Sequence, residues 1–215
     1  MRFIEIAACV STVCATLLAS VVLDGCGGNT AAPIAPAMPK QPSQAALIDG
    51  SSTFKVTSTT FSNNGTVPLS MVWNGSGSGC AGGNKSPELT WSGAPAGTKT
   101  YTVVMFDETA SFTHWGMYDI PSSTTTLPEN AGVPGSKYGQ QVINDFFITP
   151  PQYDGPCPPP GLVHRYVITV FAMNCTLVLP SYPGFPPAAE TLLYALLTNR
   201  SMILASTSIT GLYSK

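Results

Sequence analysis

Past residue 50 the chain alternates short apolar runs with turn clusters, the pattern of a β-rich domain. Residues 54–61 (FKVTSTTF) are rich in β-branched side chains and stop at the turn Asn63-Asn64-Gly65. Residues 69–73 predict a second strand before the flexible stretch 74–87, and 89–91 a brief third one. Residues 101–106 (YTVVMF) form the continuous apolar run that a central strand buried on both faces needs. Residues 115–120 predict another strand, stopped by Pro121. In 164–173 (HRYVITVFAM), period 2 places His164, Tyr166, Ile168, Val170 and Ala172 on one face and Arg165, Val167, Thr169, Phe171 and Met173 on the other. Only 188–198 predicts a helix, with Leu192, Leu193, Leu196 and Leu197 as its apolar stripe. Residues 203–213 return to β character. The fold class expected for residues 51–215 is mainly β: two packed, antiparallel-rich sheets in a β-sandwich with one or two peripheral helices.

The first 50 residues read differently. Residues 6–23 (IAACVSTVCATLLASVVL) carry no charge over eighteen positions and follow Met1-Arg2-Phe3-Ile4-Glu5. That length is borderline for a membrane span and long for the apolar region of a signal peptide. Leu23-Asp24-Gly25-Cys26 resembles the cleavage box of bacterial lipoproteins, in which the cysteine becomes the lipidated first residue, although Asp24 replaces the small residue usual there. Residues 1–26 are therefore expected to be a signal peptide of lipoprotein type, with Cys26 as the lipidation site and the anchor to a membrane. An uncleaved single-span anchor is the rival reading. Both place the rest of the chain outside the cytoplasm, in the cell envelope or periplasm, or secreted. Residues 27–50 hold four prolines and no period of 2 or 3.6, and are expected to be a disordered tether.

Composition narrows the function. Charged residues make up 9% of the chain, against roughly 25% in an average soluble domain, and the net charge is −2. Eight scattered Lys and Arg beyond residue 26 cannot form a phosphate-tracking face, which excludes a nucleic-acid binder. Of the six cysteines, Cys80, Cys157 and Cys175 belong to the domain, in a compartment that permits disulfides. Cys80 and Cys157 both sit in Gly-rich loops and are the pair expected to bridge. No C-x-x-C occurs, so no zinc knuckle is supported, and neither a metal nor a cofactor is expected.

Three segments carry a resemblance. They are Ser86-Pro87-Glu88-Leu89-Thr90-Trp91-Ser92-Gly93-Ala94-Pro95-Ala96-Gly97-Thr98-Lys99; Phe106-Asp107-Glu108-Thr109-Ala110-Ser111-Phe112-Thr113-His114-Trp115-Gly116-Met117-Tyr118-Asp119-Ile120-Pro121; and Asp154-Gly155-Pro156-Cys157-Pro158-Pro159-Pro160-Gly161-Leu162-Val163-His164-Arg165-Tyr166. In this order they resemble the bacterial branch of the phosphatidylethanolamine-binding protein family, also called Raf kinase inhibitor-like. The resemblance implies a β-sandwich with a small anion pocket at one end of a sheet. Carried over by motif, the pocket residues are Asp107, His114, Gly155, Pro156, Cys157, Pro158, His164 and Tyr166. The family usually shows Asp-Pro-Asp-Ala-Pro where this chain has Asp107-Glu108-Thr109-Ala110-Ser111. Glu108 is displaced by one position from the second acid, which on an extended chain points its side chain the other way.

The residue types suit the expected ligand. An anionic phosphate head needs several donors converging in a partly dry cleft, and imidazole N–H, phenol O–H and backbone N–H groups of a proline-stiffened turn would supply them. Asp107 would orient an imidazole or receive an ammonium group of the ligand. The function expected is a non-catalytic binding protein for a small anionic or phospholipid headgroup. The alternative is a protein-interaction module or inhibitor acting on a protease or host signalling protein. Catalysis is not expected: G-x-S-x-G is absent, and a Cys157–His164 nucleophile–base pair would lack an identifiable orienting residue.

Overall fold

The computed structural model describes residues 53–75 and 79–215. The expected signal peptide with Cys26 and the expected tether lie outside the described residues. Among the described residues, nine strands build two sheets: β1 (Lys55–Thr57), β2 (Gly65–Thr66), β3 (Leu89–Ser92), β4 (Thr100–Asp107), β5 (Phe112–Pro121), β6 (Thr126–Leu127), β7 (Gln140–Gln141), β8 (His164–Met173) and β9 (Ile203–Tyr213). Helix α1 (Ala189–Thr198) and a 3-10 turn at Arg200–Met202 precede β9. The smaller sheet has the order β1-β3-β6, the larger β2-β9-β8-β4-β5-β7. All pairings are antiparallel except β2 with β9. The mainly β, two-sheet fold is as the apolar pattern indicated.

β4 is the centre of the larger sheet, hydrogen-bonded to β5 on one side and β8 on the other. Its uninterrupted apolar run follows from this position, since both of its faces are covered. Tyr101, Val103 and Met105 face the smaller sheet, packing with Trp91, Leu89, Trp115, Met117, Ile168 and Val170. Val104 faces the opposite layer, with Tyr118, Met173, Leu192 and Leu196. Helix α1 packs closely there because β5 carries Gly116, where a Cβ would lie 2.6 Å from Val142 and 2.9 Å from Leu192.

Three local expectations are corrected. In 54–61 only Lys55–Thr57 are strand; the chain then turns, although Phe61 still plugs the core. Residues 69–73 form turns instead of a strand, with Met71 N–H donating to Pro68 C=O and Val72 N–H to Leu69 C=O. Their apolar character comes from Met71 and Val72, which fill the core from a turn. On α1 the buried stripe is Ala189, Leu192, Ala195 and Leu196, whereas Leu197 is exposed. The small alanines let the helix approach the sheet, so the buried face is rotated away from the one that leucines alone would mark.

Antiparallel pairing brings the end of β4 beside the starts of β5 and β8: Asp107 lies opposite Phe112 on one side and Tyr166 on the other. The chemistry-bearing residues gather at this edge.

Candidate functional site

β8 is regular over its first nine residues, so His164 and Tyr166 project from one face, both buried. β5 is not regular. Met105 pairs with Trp115 and the next residue, Phe106, with Thr113, leaving His114 as the extra residue of a β-bulge. A bulge breaks strict alternation. His114 therefore shares the inner face with its neighbour Trp115, which is packed in the core between the sheets, and its ring meets the edge of Tyr166 at 5.2 Å between centroids. The ring of Tyr166 also stacks on His164 at 6.2 Å. One phenol thus stands between two imidazoles that are 50 positions apart in the chain.

These side chains line an open cavity of about 130 Å³. Asp107, His114, Cys157, Pro158, His164 and Tyr166 all contribute to its wall. Gly155 and Pro156 do not, which corrects the expectation that the entire Gly155–Pro158 turn lines the pocket. Their role is to hold the turn down. A Cβ on Gly155 would sit 1.8 Å from the Met71 carbonyl oxygen, and the Pro156 carbonyl accepts from Trp73 N–H at 3.1 Å. The turn also supplies less than the expected cradle of amides. Among residues 155–160 only Gly155 and Cys157 carry a backbone N–H, and that of Gly155 donates to Asn84 Oδ1 at 2.8 Å. Cys157 is disulfide-bonded to Cys80, tying the pocket wall to the segment around residue 80.

Asp107 is buried at the end of β4. Its Oδ2 accepts from His164 Nδ1 at 2.6 Å. Its Oδ1 accepts from the N–H groups of Thr109 and Ala110, at 2.8 and 3.2 Å. One carboxylate thus closes the turn into β5 and orients an imidazole. Glu108 points the other way, as the one-position shift requires, and meets Arg165 at 3.3 Å with both side chains half exposed. Burial, and then the nearby Asp107 carboxylate, hold the Tyr166 hydroxyl well above the ordinary phenol range, so it remains an O–H donor.

His114 has a different partner. Its Nδ1 lies 2.8 Å from the backbone carbonyl oxygen of Asp154, and the Asp154 N–H donates back to the His114 carbonyl. Burial lowers its pKa, outweighing the hydrogen bond to Asp154 and the charges of Asp107, Asp145 and Asp154. The Asp154 carboxylate is fully buried and held by three side-chain amides: Asn84 at 3.0 Å and Gln152 at 2.8 Å on Oδ1, Asn144 at 2.8 Å on Oδ2. Asn144 Oδ1 accepts from Phe146 N–H, which fixes an aromatic wall. Phe146 stacks on Trp73 at 4.6 Å and meets Phe112 edge-on at 4.8 Å.

Ala110, Phe112 and Pro159 lie within the motif segments without having been carried over as pocket residues, and Phe146 lies outside them; all four line the cavity. The visible signal was the pair Phe146-Phe147 in a polar loop, too large and apolar for a mere connection. Among the described residues, no three His, Cys, Asp or Glu side chains are grouped to hold a metal ion.

Known proteins resemble this chain in sequence and in fold. The family model for phosphatidylethanolamine-binding protein matches residues 57–214. A UPF0098 protein of Aquifex aeolicus is 37% identical over 171 residues, spanning 77% of this chain and 91% of its own. The UPF0098 protein YbcL of Escherichia coli is 38% identical over 130 residues, 56% of this chain and 69% of its own. The crystal structure of YbcL, described as a member of the mammalian PEBP family, superposes with a TM-score of 0.64 at 33% identity, covering 75% of this chain and 98% of that one. A PEBP homologue from Chlamydia trachomatis gives 0.60 at 25% identity, over 77% and 99%. With the family model matching residues 57–214 and the fold shared with these structures, the chain belongs to the phosphatidylethanolamine-binding protein family.

Proposed function

We propose that the cavity at the β4–β5–β8 edge is a non-catalytic binding site for a small anion, a phosphate or phospholipid headgroup. The observation that carries this reading is the convergence on one open cavity of two imidazoles, each hydrogen-bonded to a different aspartate, and the phenol packed against both rings. Asp107 fixes the His164 ring from Nδ1 and leaves Nε2 as its remaining polar atom, and Tyr166 brings its hydroxyl. Phe112, Phe146, Pro158 and Pro159 make the remaining wall apolar, which lowers the local dielectric and strengthens hydrogen bonds made there. With the Cys157 sulfur in a disulfide, the pocket wall has no thiol there to act as a nucleophile. The apolar leader ending in Leu23-Asp24-Gly25-Cys26 supports an extracytoplasmic protein anchored through a lipidated Cys26, so a headgroup ligand would lie close to hand.

The test is a histidine-resolved NMR titration of the purified full chain in non-ionic detergent with phosphate, phosphoethanolamine and a short-chain phospholipid. Two histidines make the spectrum readable. The expected result is saturable shifts of both rings, abolished in the double variant His164→Ala with Tyr166→Phe while thermal unfolding stays cooperative. Binding undiminished in that variant would reject the site. Binding of a protein partner that survives the pocket variant and fails on changes near residues 74–87 would favour the inhibitor reading instead.

A further inference from the structure

Geometry fixes what His114 can offer a ligand. A backbone carbonyl only accepts, so the Nδ1 facing Asp154 C=O at 2.8 Å must carry a proton. Nε2 is then the ring's remaining polar atom, on a residue that lines the cavity. Its state follows from the surroundings. Asp107 at the end of β4, Asp145 and Asp154 on the adjoining loops, and His164 and Tyr166 from β8 are the titratable groups facing the ring. The three carboxylates favour an imidazolium, but burial of the ring prevails and holds its pKa below the ordinary 6.5, so the ring is uncharged above neutral pH. Nε2, the polar atom left on this cavity-lining ring, therefore carries a lone pair. An anion's oxygen presents lone pairs as well, and two acceptors cannot bond without a proton between them.

We propose that this pocket takes up its anion together with one proton, held between His114 Nε2 and a ligand oxygen, and so selects anions that carry an acidic O–H. The class is a phosphate monoester or inorganic phosphate as its monoanion, preferred over a phosphodiester or sulfate. This rests on the anion-pocket reading and sharpens it. A monoester has its second pKa at about 6 and still brings a proton close to neutrality. An aprotic anion must draw the proton from solution onto His114. Its affinity falls tenfold for each pH unit above the free-protein pKa of that ring, as linkage to a single proton requires.

The experiment is calorimetric binding of inorganic phosphate, sulfate and dimethyl phosphate to the full chain between pH 5 and 8, in two buffers of different ionisation enthalpy, for the wild type and His114→Gln. A glutamine amide can turn an N–H toward the anion without titrating. The wild type should bind phosphate at least tenfold more tightly than sulfate or dimethyl phosphate at pH 7.5. Its sulfate binding should take up one more proton than that of His114→Gln, whose sulfate affinity should lose a tenfold-per-unit slope. Equal pH dependence in the two proteins overturns the inference while leaving the anion pocket standing. No anion binding by the wild type at any pH removes both. Should His114→Gln fail to fold, the phosphate-over-sulfate ratio and proton uptake of the wild type decide the matter: equal affinities without uptake overturn the inference.

Discussion

The two sides of the cavity set one kind of side chain to two different tasks. On the β8 side, His164 gives its Nδ1 proton to a carboxylate, Asp107, at 2.6 Å. On the β5 side, His114 gives its Nδ1 proton to a peptide carbonyl, Asp154, at 2.8 Å. A carboxylate partner balances the charge of an imidazolium; a carbonyl partner fixes the tautomer but contributes no full charge. The acidic side chain of Asp154 is close by, yet three amides occupy it and leave only the main chain for the histidine. The difference between the sides therefore lies in which atom of an aspartate is presented, and not in whether an aspartate is near.

The sharpest way to break this comparison is to remove each aspartate side chain. Asp154→Ala strands the amides of Asn84, Asn144 and Gln152 around a fully buried void, and the loss expected is about 3–5 kcal/mol, since several buried donors lose their acceptor at once. Asp107→Ala strands His164 Nδ1–H and the N–H groups of Thr109 and Ala110, which lie in a partly exposed turn where water replaces the carboxylate. A smaller loss, about 1–3 kcal/mol, is expected there, together with loss of anion binding. Chemical denaturation of the two variants measures both. Equal destabilisation would show that the amide cage is no more structural than the turn.

The two sides also differ in how openly the chain announces them. His164 and Tyr166 are readable from period 2 because β8 runs without a bulge through its first nine residues. Asp107 is readable as the end of an apolar run whose central position covers both faces. His114 is not: with Trp115 and Met117 inward, alternation sends His114 outward, and only the bulge opposite Met105 and Phe106 returns it to the cavity. Family motifs identify it where periodicity fails. Asn84, Asn144, Gln152 and Phe146 escape both routes, because they come from loops with no period and meet only through Asp154 and the stacking on Trp73. Gly155 and Pro156 err in the other direction. They belong to the motif because of close backbone approach to Met71 and Trp73, and contribute nothing to the wall.

A gentler probe is pH. His114 titrates below its ordinary value of 6.5 in the folded protein and near that value when unfolded. Between the two, the unfolded chain binds more protons. The stability contributed by a neutral His114 is therefore complete above pH 6.5 and is lost as the pH falls toward the folded value. The slope is at most about 1.4 kcal/mol per pH unit for one group. Urea unfolding of the wild type and His114→Gln between pH 7.5 and 5 should show a steeper decline in the wild type. Parallel curves would mean that burial does not set the state of this ring.

The smallest effect separates two adjacent acids. Asp107 and Glu108 are neighbours in sequence, but strand geometry sends one into the cavity and the other to Arg165 on the surface. At 3.3 Å and half exposed, the Glu108–Arg165 pair gains little Coulomb energy that water does not already provide. Glu108→Gln should change stability by less than about 0.5 kcal/mol and leave anion affinity within error, even at low salt where surface charges act over longer distances. A large change in anion affinity would mean that Glu108 reaches the ligand after all and replaces the family's second acid. An unchanged affinity, beside the loss in Asp107→Ala, would assign all of the acid's work at this edge to the residue that ends β4.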